Sequence, residues 1–240
     1  DNITEKSPNL SWWTGGTLLD ALNSLDNPKL PLDKPFRFSV CDVYNIPGTG
    51  TVVGGIVQSG KLVPGQDVVF PLSKIKTKVK SIEMFHSRIT EAIPYNIVGI
   101  SIDVPLSNIF CNDVCGEPER EPPSECVNFT AQMIIFDHPD KIHAGYSPFL
   151  YCGTSHVPCK FEKLVQRIDR RHGKKVTENP EYIIKDDAAV VVIKPLKPII
   201  VELFKNYPIL GRIVIRDMQQ TVALGVIRSV DISTKFIISF

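Results

Sequence analysis

The 240-residue sequence holds no apolar run near the ~20 residues that a bilayer-spanning helix needs. No basic segment followed by an apolar one opens it, so no secretory leader is read and a soluble, cytoplasmic protein with no membrane partner is expected. Neither sign of charge is in excess. The formal net charge is +1, so composition alone names no nucleic-acid partner, and any RNA-binding face must be a local patch. No GxxxxGK[ST] segment is present, which removes the lysine-bearing loop that cradles nucleotide phosphates at a helix N-terminus. GxSxG and HExxH are missing as well. His138, His143, His156 and His172 are scattered. Asp186-Asp187 sits beside turn signals, where a solvated loop is the simplest reading. No catalytic constellation results, and no activity is expected of this chain alone.

Closely spaced cysteine pairs are also wanting. Cysteines stand at 41, 111, 115, 126, 152 and 159, and the nearest approaches to ligand spacing are Cys111-x3-Cys115 and Cys152-x3-His156-x2-Cys159. These fall on expected strands about forty residues apart, whereas a structural zinc wants four converging ligands, commonly with C-x2-C pairs. Buried reduced thiols, packing as small apolar groups, are the favoured reading. A zinc-stabilised scaffold is the alternative.

What is present is proline, 19 residues of it, placed between β-rich runs. Proline is excluded from helix and strand interiors, so short strands with many turns are expected. The stretch from Asp33 to Gly60 shows the pattern best. Phe36, Phe38 and Val40 alternate with Arg37, Ser39 and Cys41, the period of a half-buried strand. Pro47-Gly48-Thr49-Gly50 turns the chain, and Thr51-Val52-Val53 restarts a β-branched strand. Gly54-Gly55 lets that strand bend or approach another backbone closely.

Further strands are expected near 67–70, 76–85, 97–102 and 113–116, which at this spacing favours a small closed barrel. Glu117 to Pro123 is a charged, proline-stiffened linker. A second set follows: Phe129–Phe136, Tyr146–Tyr151, Ala188–Ile193, Ile199–Phe204, Arg212–Arg216 and Thr221–Val230. Lys160 to Lys175 is ambiguous, because Phe161, Leu164, Val165 and Ile168 have helical spacing. Near the start, Thr17 to Leu25 reads as a short helix with Leu18, Leu22 and Leu25 on one face and a capping box of Thr17 with Asp20.

The residues quoted from Asp33 onward resemble a known pattern. Asp33-Lys34-Pro35, Asp42-Val43-Tyr44, Gly48-x-Gly50-Thr51-Val52, Gly55 and Gly60 are similar to the opening of the second domain of translational GTPases. The blocks FTAQMIIFDHPDKIHAGYSPFLYCGTSHVPCKFEKLVQRIDRRHGKK, DDAAVV and KPIIVELFKNYPILGRIVIRDMQQTVALGVIRSVD resemble the third domain of the elongation factor 1-alpha family. The resemblance covers nearly the whole chain. It implies an all-β fold of two consecutive small antiparallel β-barrels, 33–121 and 122–240. Residues 1–32, with SPNLSWWTG and TLLDALN, would be the end of a GTPase domain. It also favours a hairpin for Lys160 to Lys175, with Arg171-His172-Gly173-Lys174 near its tip.

The resemblance implies aminoacyl-tRNA and the ribosome as partners, with GTP and Mg held by the GTPase domain and no cofactor in this chain. By matching motif, Glu83 would lie against the terminal adenine, with Thr51 and Val52 lining the adenine side. Asp42 and Tyr44 would border the amino-acid pocket, with Phe85 and Asn96 across from them. Thr154, Ser155, Arg216, Gln219, Gln220 and Thr221 would touch the T-stem backbone, where Arg and hydroxyl groups suit phosphate and 2′-OH contacts.

The chain departs from the family pattern in places. Gly55-Ile56-Val57-Gln58-Ser59-Gly60 stands where Gly-Arg-Val-Glu-Thr-Gly is usual, Cys41 replaces a polar residue, and Tyr95 replaces a glycine. The alternative readings are a protein-interaction module that receives the nucleotide-exchange factor or actin, and a diverged paralogue of the family.

Overall fold

A computed structural model describes residues 2–26, 28–138, 140–169 and 175–233. The chain falls into two units, Asp1–Leu30 and Pro31–Phe240. The first carries helix α1 (Leu18–Asn23), started by the expected capping box. Asp20 N–H donates to Thr17 Oγ1 at 3.1 Å, and Thr17 N–H donates to Asp20 Oδ2 at 2.8 Å. Leu18, Leu22 and Leu25 are exposed. No described helix is long and apolar enough to cross a membrane.

The second unit is all β. Its first sheet holds β1 (Arg37–Ile46), β2 (Gly50–Ser59), β3 (Asp67–Phe70), β4 (Ile75–Met84), β5 (Ser87–Ile89), β6 (Ile97–Ile102) and β7 (Val114–Gly116). The order β3-β7-β1-β2-β6-β4 closes through a β3–β4 pairing, and β5 hangs from β4 as a hairpin. The interior is filled by Phe36, Phe38, Val40, Val53, Phe70, Ile82 and their neighbours. Every ladder is antiparallel, so closure leaves little unpaired backbone.

The second barrel repeats the plan. It contains β8 (Cys126–Ile135), β9 (Ile142–His143), β10 (Phe149–Cys152), β11 (Ser155–Asp169), β12 (Lys175–Glu178), β13 (Tyr182–Ile183) and β14 (Ala188–Pro195). Helix α2 (Pro208–Gly211), β15 (Arg212–Asp217) and β16 (Gln220–Ile232) follow. The order β10-β15-β16-β8-β14-β11 closes through β10–β11, and β12 extends β11 outward. The hairpin expectation for Lys160 to Lys175 therefore holds; its tip at 171–174 lies outside the described residues.

Three local expectations are corrected. Ile199–Phe204 forms no strand, although Ile199, Ile200 and Val201 are buried. Its backbone bonds scatter, with Ile199 O accepting from Cys126, Glu202 N–H reaching Leu210 O, and Phe204 N–H reaching Ile227 O. Tyr146–Tyr151 shortens to Phe149–Cys152. Asp187 is not in a solvated loop: it is buried, accepts from Ile184 N–H at 2.8 Å and pairs with Arg167 at 2.7 Å.

The alternation on β1 breaks at one residue. Val40 faces Gly55 and Asp42 faces Gly54, which leaves Cys41 as an extra residue in a β-bulge. A bulge shifts side-chain parity, so Phe38 and Val40 point into the barrel while Asp42 and Tyr44 point out and Val43 turns in. Gly55 permits this close approach. A Cβ there would stand 2.2 Å from the Ser39 carbonyl oxygen and 2.6 Å from the Phe38 ring.

The other face of the first half of β1 is also buried, against the second barrel. Arg37 Nε meets Glu202 Oε1 at 2.9 Å, and its guanidinium lies 4.7 Å from the centre of the Tyr207 ring. Leu72 and Val114 pack there on Ile200, Tyr207 and Leu210. Thr154 Oγ1 donates to Val40 O and Ser155 Oγ to Asn112 O, at 3.2 and 3.0 Å. Burial pushes the Glu202 carboxyl up, and the Arg37 charge offsets this only in part.

Two stability outcomes follow. Gly55→Ala costs on the order of 3 kcal/mol, because the clash is with backbone that cannot rotate away; urea unfolding measures it. Glu202→Ala costs about 3 kcal/mol by leaving the Arg37 charge buried alone, and adding Arg37→Met to Glu202→Leu recovers most of the loss. Unfolding midpoints of the single and double variants check the second.

Candidate acceptor-binding face

The bulge determines which residues share the outer face of the first barrel. Across the strands β1, β2, β6 and β4, Asp42 faces Gly54, Gly54 faces Gly99, and Gly99 faces Glu83. In the next row Tyr44 faces Val52, Val52 faces Ser101, and Ser101 faces Ser81. Two carboxylates thus stand at the ends of a row floored by glycine, roughly 14 Å apart by three interstrand steps of about 4.8 Å. The floor is low because nothing projects from Gly54 and Gly99. A Cβ on Gly54 would meet the Tyr44 ring at 3.4 Å, and one on Gly99 would meet Val52 at 3.1 Å.

Tyr44 is 51% exposed, and its hydroxyl donates to Asp42 Oδ2 at 3.2 Å. That hydrogen bond, then the Asp42 charge, raises the phenol above its ordinary range. Glu83 pairs loosely with Arg88 at 3.6 Å, both side chains being well exposed, so solvent screens the pair. Beyond Glu83 the β4–β5 hairpin turns through Phe85 and His86, whose φ angles are 49° and 63°. Such two-residue turns are normally filled by Asn-Gly, and each side-chain-bearing residue in this region costs about 1–2 kcal/mol. Phe85 returns none of that by packing, since it is 86% exposed.

Not every expected residue joins this face. Asp42, Tyr44, Val52 and Glu83 share it, and Phe85 stands at its margin. Thr51 does not: it is buried, because adjacent residues on a strand point to opposite sides and Val52 takes the outer one. Asn96 does not either. Its Oδ1 accepts from Ile93 N–H at 3.0 Å and its carbonyl from Val57 N–H at 3.0 Å, so it closes a turn at the other end of β2. Gly99, Ser101 and Ser81 were missed by sequence reading. Counting outward positions along β4 and β6 from Glu83 would have found them.

On the second barrel, Arg216, Gln219, Gln220 and Thr221 lie together around the β15–β16 hairpin. Its turn repeats the Phe85-His86 geometry, with Met218 at φ 42° and Gln219 at φ 69°. Arg216 Nη2 donates to Gln219 O at 2.7 Å, and its Nε has no partner among the described residues. The guanidinium lies 5.5 Å from the Tyr151 ring centre, and that ring stacks on His156 at 5.6 Å. Phe149, Tyr151, His156, Arg216, Asp217, Met218 and Gln219 line a cleft of about 280 Å3. Thr154 and Ser155 are elsewhere, their hydroxyls donating to first-barrel carbonyls in the seam. Sequence reading missed Tyr151 and His156, which alternation places beside Arg216 once β10 is paired with β15.

The Tyr44–Asp42 hydrogen bond has a direct readout. Asp42→Asn removes the acceptor charge, so the Tyr44 phenolate forms at lower pH than in the parent chain. Ultraviolet titration of phenolate absorbance, with Tyr44→Phe to assign the signal, measures the shift.

Residues 50–108 match the family described as elongation factor Tu domain 2, and residues 128–228 match the GTP-eEF1A C-terminal domain-like family. Elongation factor 1-alpha of Blastobotrys adeninivorans is 45% identical over 248 residues, covering 98% of this chain and 54% of that protein. The Stylonychia lemnae protein of the same name is 46% identical over 231 residues, covering 96% and 52%. A crystal structure of sup35 complexed with GMPPNP shares the fold, with a TM-score of 0.77 over 96% of this chain and 56% of that one, at 21% identity. The chain spans about half the length of the curated relatives it matches. By sequence and by its paired β-barrels, the chain belongs to the elongation factor 1-alpha family and corresponds to the C-terminal part of its members.

Proposed function

We propose that the outer face of the first barrel holds the acceptor end of aminoacyl-tRNA, within a longer cytoplasmic protein that delivers it to the ribosome under control of GTP. One observation carries this reading: Asp42, Tyr44, Val52 and Glu83 share one exposed, glycine-floored face. An unpaired 3′ end offers free base faces and edges, which proteins read by stacking and hydrogen bonding. The glycine floor admits close backbone approach by any esterified side chain. Around the β15–β16 hairpin, Arg216 with Gln219, Gln220 and Thr221 supplies a cation and polar groups for the RNA backbone. Thr154 and Ser155 are left out of that surface, because their hydroxyls serve the seam.

GTP and Mg belong, in this reading, to a GTPase domain of which residues 1–32 are the end. No GxxxxGK[ST] segment is present in this sequence, so no residue here is assigned to a nucleotide phosphate. A second reading, docking of the nucleotide-exchange factor on the same face, is favoured by exposed Phe85 and Ile97 beside it.

Fluorescence titration with charged and uncharged tRNA tests the first reading. Charged tRNA binds more tightly, and Glu83→Ala or Tyr44→Ala weakens it about tenfold, the scale of one lost base contact. Affinity falls steeply with salt. Tight binding indifferent to charging and to both substitutions overturns the assignment. Pulldown of the exchange factor by the Tyr44→Ala chain distinguishes a shared face from separate ones.

A further inference from the structure

The six cysteines divide by access. Cys115, Cys126, Cys152 and Cys159 are buried, Cys41 is half-buried and Cys111 is exposed. The two reachable thiols lie on neighbouring chain segments. Ser39 faces Val114 in the β1–β7 ladder. Beyond that pair, Val40 N–H donates to Asp113 O at 3.0 Å, and Asn112 N–H donates to Val40 O at 3.2 Å. Cys41 and Cys111 are the next residues past this second bond, one on each segment.

Covalent geometry on either side of that bond keeps their Cα atoms within about 8 Å. The β1–β7 ladder ends at Ser39 and Val114, so the closeness of Cys41 and Cys111 is set by that hydrogen bond and the turn that follows it. A disulfide spans Cα separations of about 4.4–6.8 Å. Asn112 has φ 70°, and Asp113 N–H returns to Phe110 O at 3.3 Å, so Cys111 sits at the tip of a tight turn.

We infer that Cys41 and Cys111 are a redox-modification site, forming an intrachain disulfide when the chain meets hydrogen peroxide. Burial, and after it the Asp42 carboxylate, pushes the Cys41 thiol up, so the exposed Cys111 takes the first step. Its thiolate attacks one peroxide oxygen. An S–O bond forms, the O–O bond breaks, and the departing hydroxide takes a proton to become water. The sulfur is now a sulfenic acid, oxidised by two electrons, and the peroxide has been reduced by two. Cys41, giving up its proton, attacks that sulfur. The S–S bond forms, the S–O bond breaks, and a second water leaves. A dithiol reductant restores both thiols through a mixed disulfide.

The link ties the bulge residue of β1 to the turn before β7, at the root of the segment that presents Asp42 and Tyr44. It stands independently of what that face binds.

The experiment is peptide mapping by mass spectrometry, under non-reducing conditions, of the 240-residue chain after limited exposure to hydrogen peroxide. The expected result is a Cys41–Cys111 linked peptide that dithiothreitol removes, with the four buried cysteines still thiols. In Cys41→Ser the sulfenic acid on Cys111 has no partner, so dimedone labels Cys111 several-fold more than in the parent. A parent chain in which Cys111 passes to sulfinic acid, links only between chains, or stays reduced overturns the inference. The mapping of the parent chain needs no variant, so misfolding of a substituted chain does not obscure it.

Discussion

The structure depends on a constraint within β1. Its first half must be buried on both sides, with Phe38 and Val40 in the barrel and Arg37 and Ser39 against the neighbouring barrel. Its second half must present polar groups outward. A regular strand cannot do both with this sequence, because Asp42 and Tyr44 fall in phase with Phe38 and Val40. One surplus residue at Cys41 resets the phase, and Gly55 leaves the room for it.

The seam follows from the same strand. Arg37 is tolerable in a dry position because Glu202, the Tyr207 ring and the Phe36 carbonyl meet it there. Around this pair the polar contacts run from side chains of one barrel to backbone carbonyls of the other, Thr154 to Val40 and Ser155 to Asn112. These bonds fix register between two curved surfaces that apolar packing alone would let slide. Glu202 is a costly anchor, since burial disfavours its charged form. Its position is therefore better understood as specifying how the barrels meet than as adding stability.

Much of this was legible in the sequence, and the limits are instructive. The alternation of Phe36, Phe38 and Val40, and the turn at Gly48, were enough to place the first two strands. The resemblance of the later blocks resolved the Phe161 to Ile168 stretch, whose spacing fits a helix equally well. The bulge was not legible, because one inserted residue changes the phase of a strand without changing its composition. Thr51 and Val52 read as one wall in the matching motif, although neighbours on a strand face opposite ways. Thr154 and Ser155 look like surface hydroxyls in any local reading, and only the packing of two distant segments shows that they are used internally. Asn96 is a similar case: its side chain serves its own turn.

Closure of both barrels has a consequence for how the chain behaves among copies of itself. Each cylinder consumes most of its own edges, and the appended strands β5 and β12 end the two seven-stranded sheet orders among the described residues. Both are poor templates for strand addition. β5 is three residues long, and β12 reads Lys-Val-Thr-Glu, with charge at each end. Closure thus removes most of the long free strand edges, among the described residues, on which a fibril would nucleate.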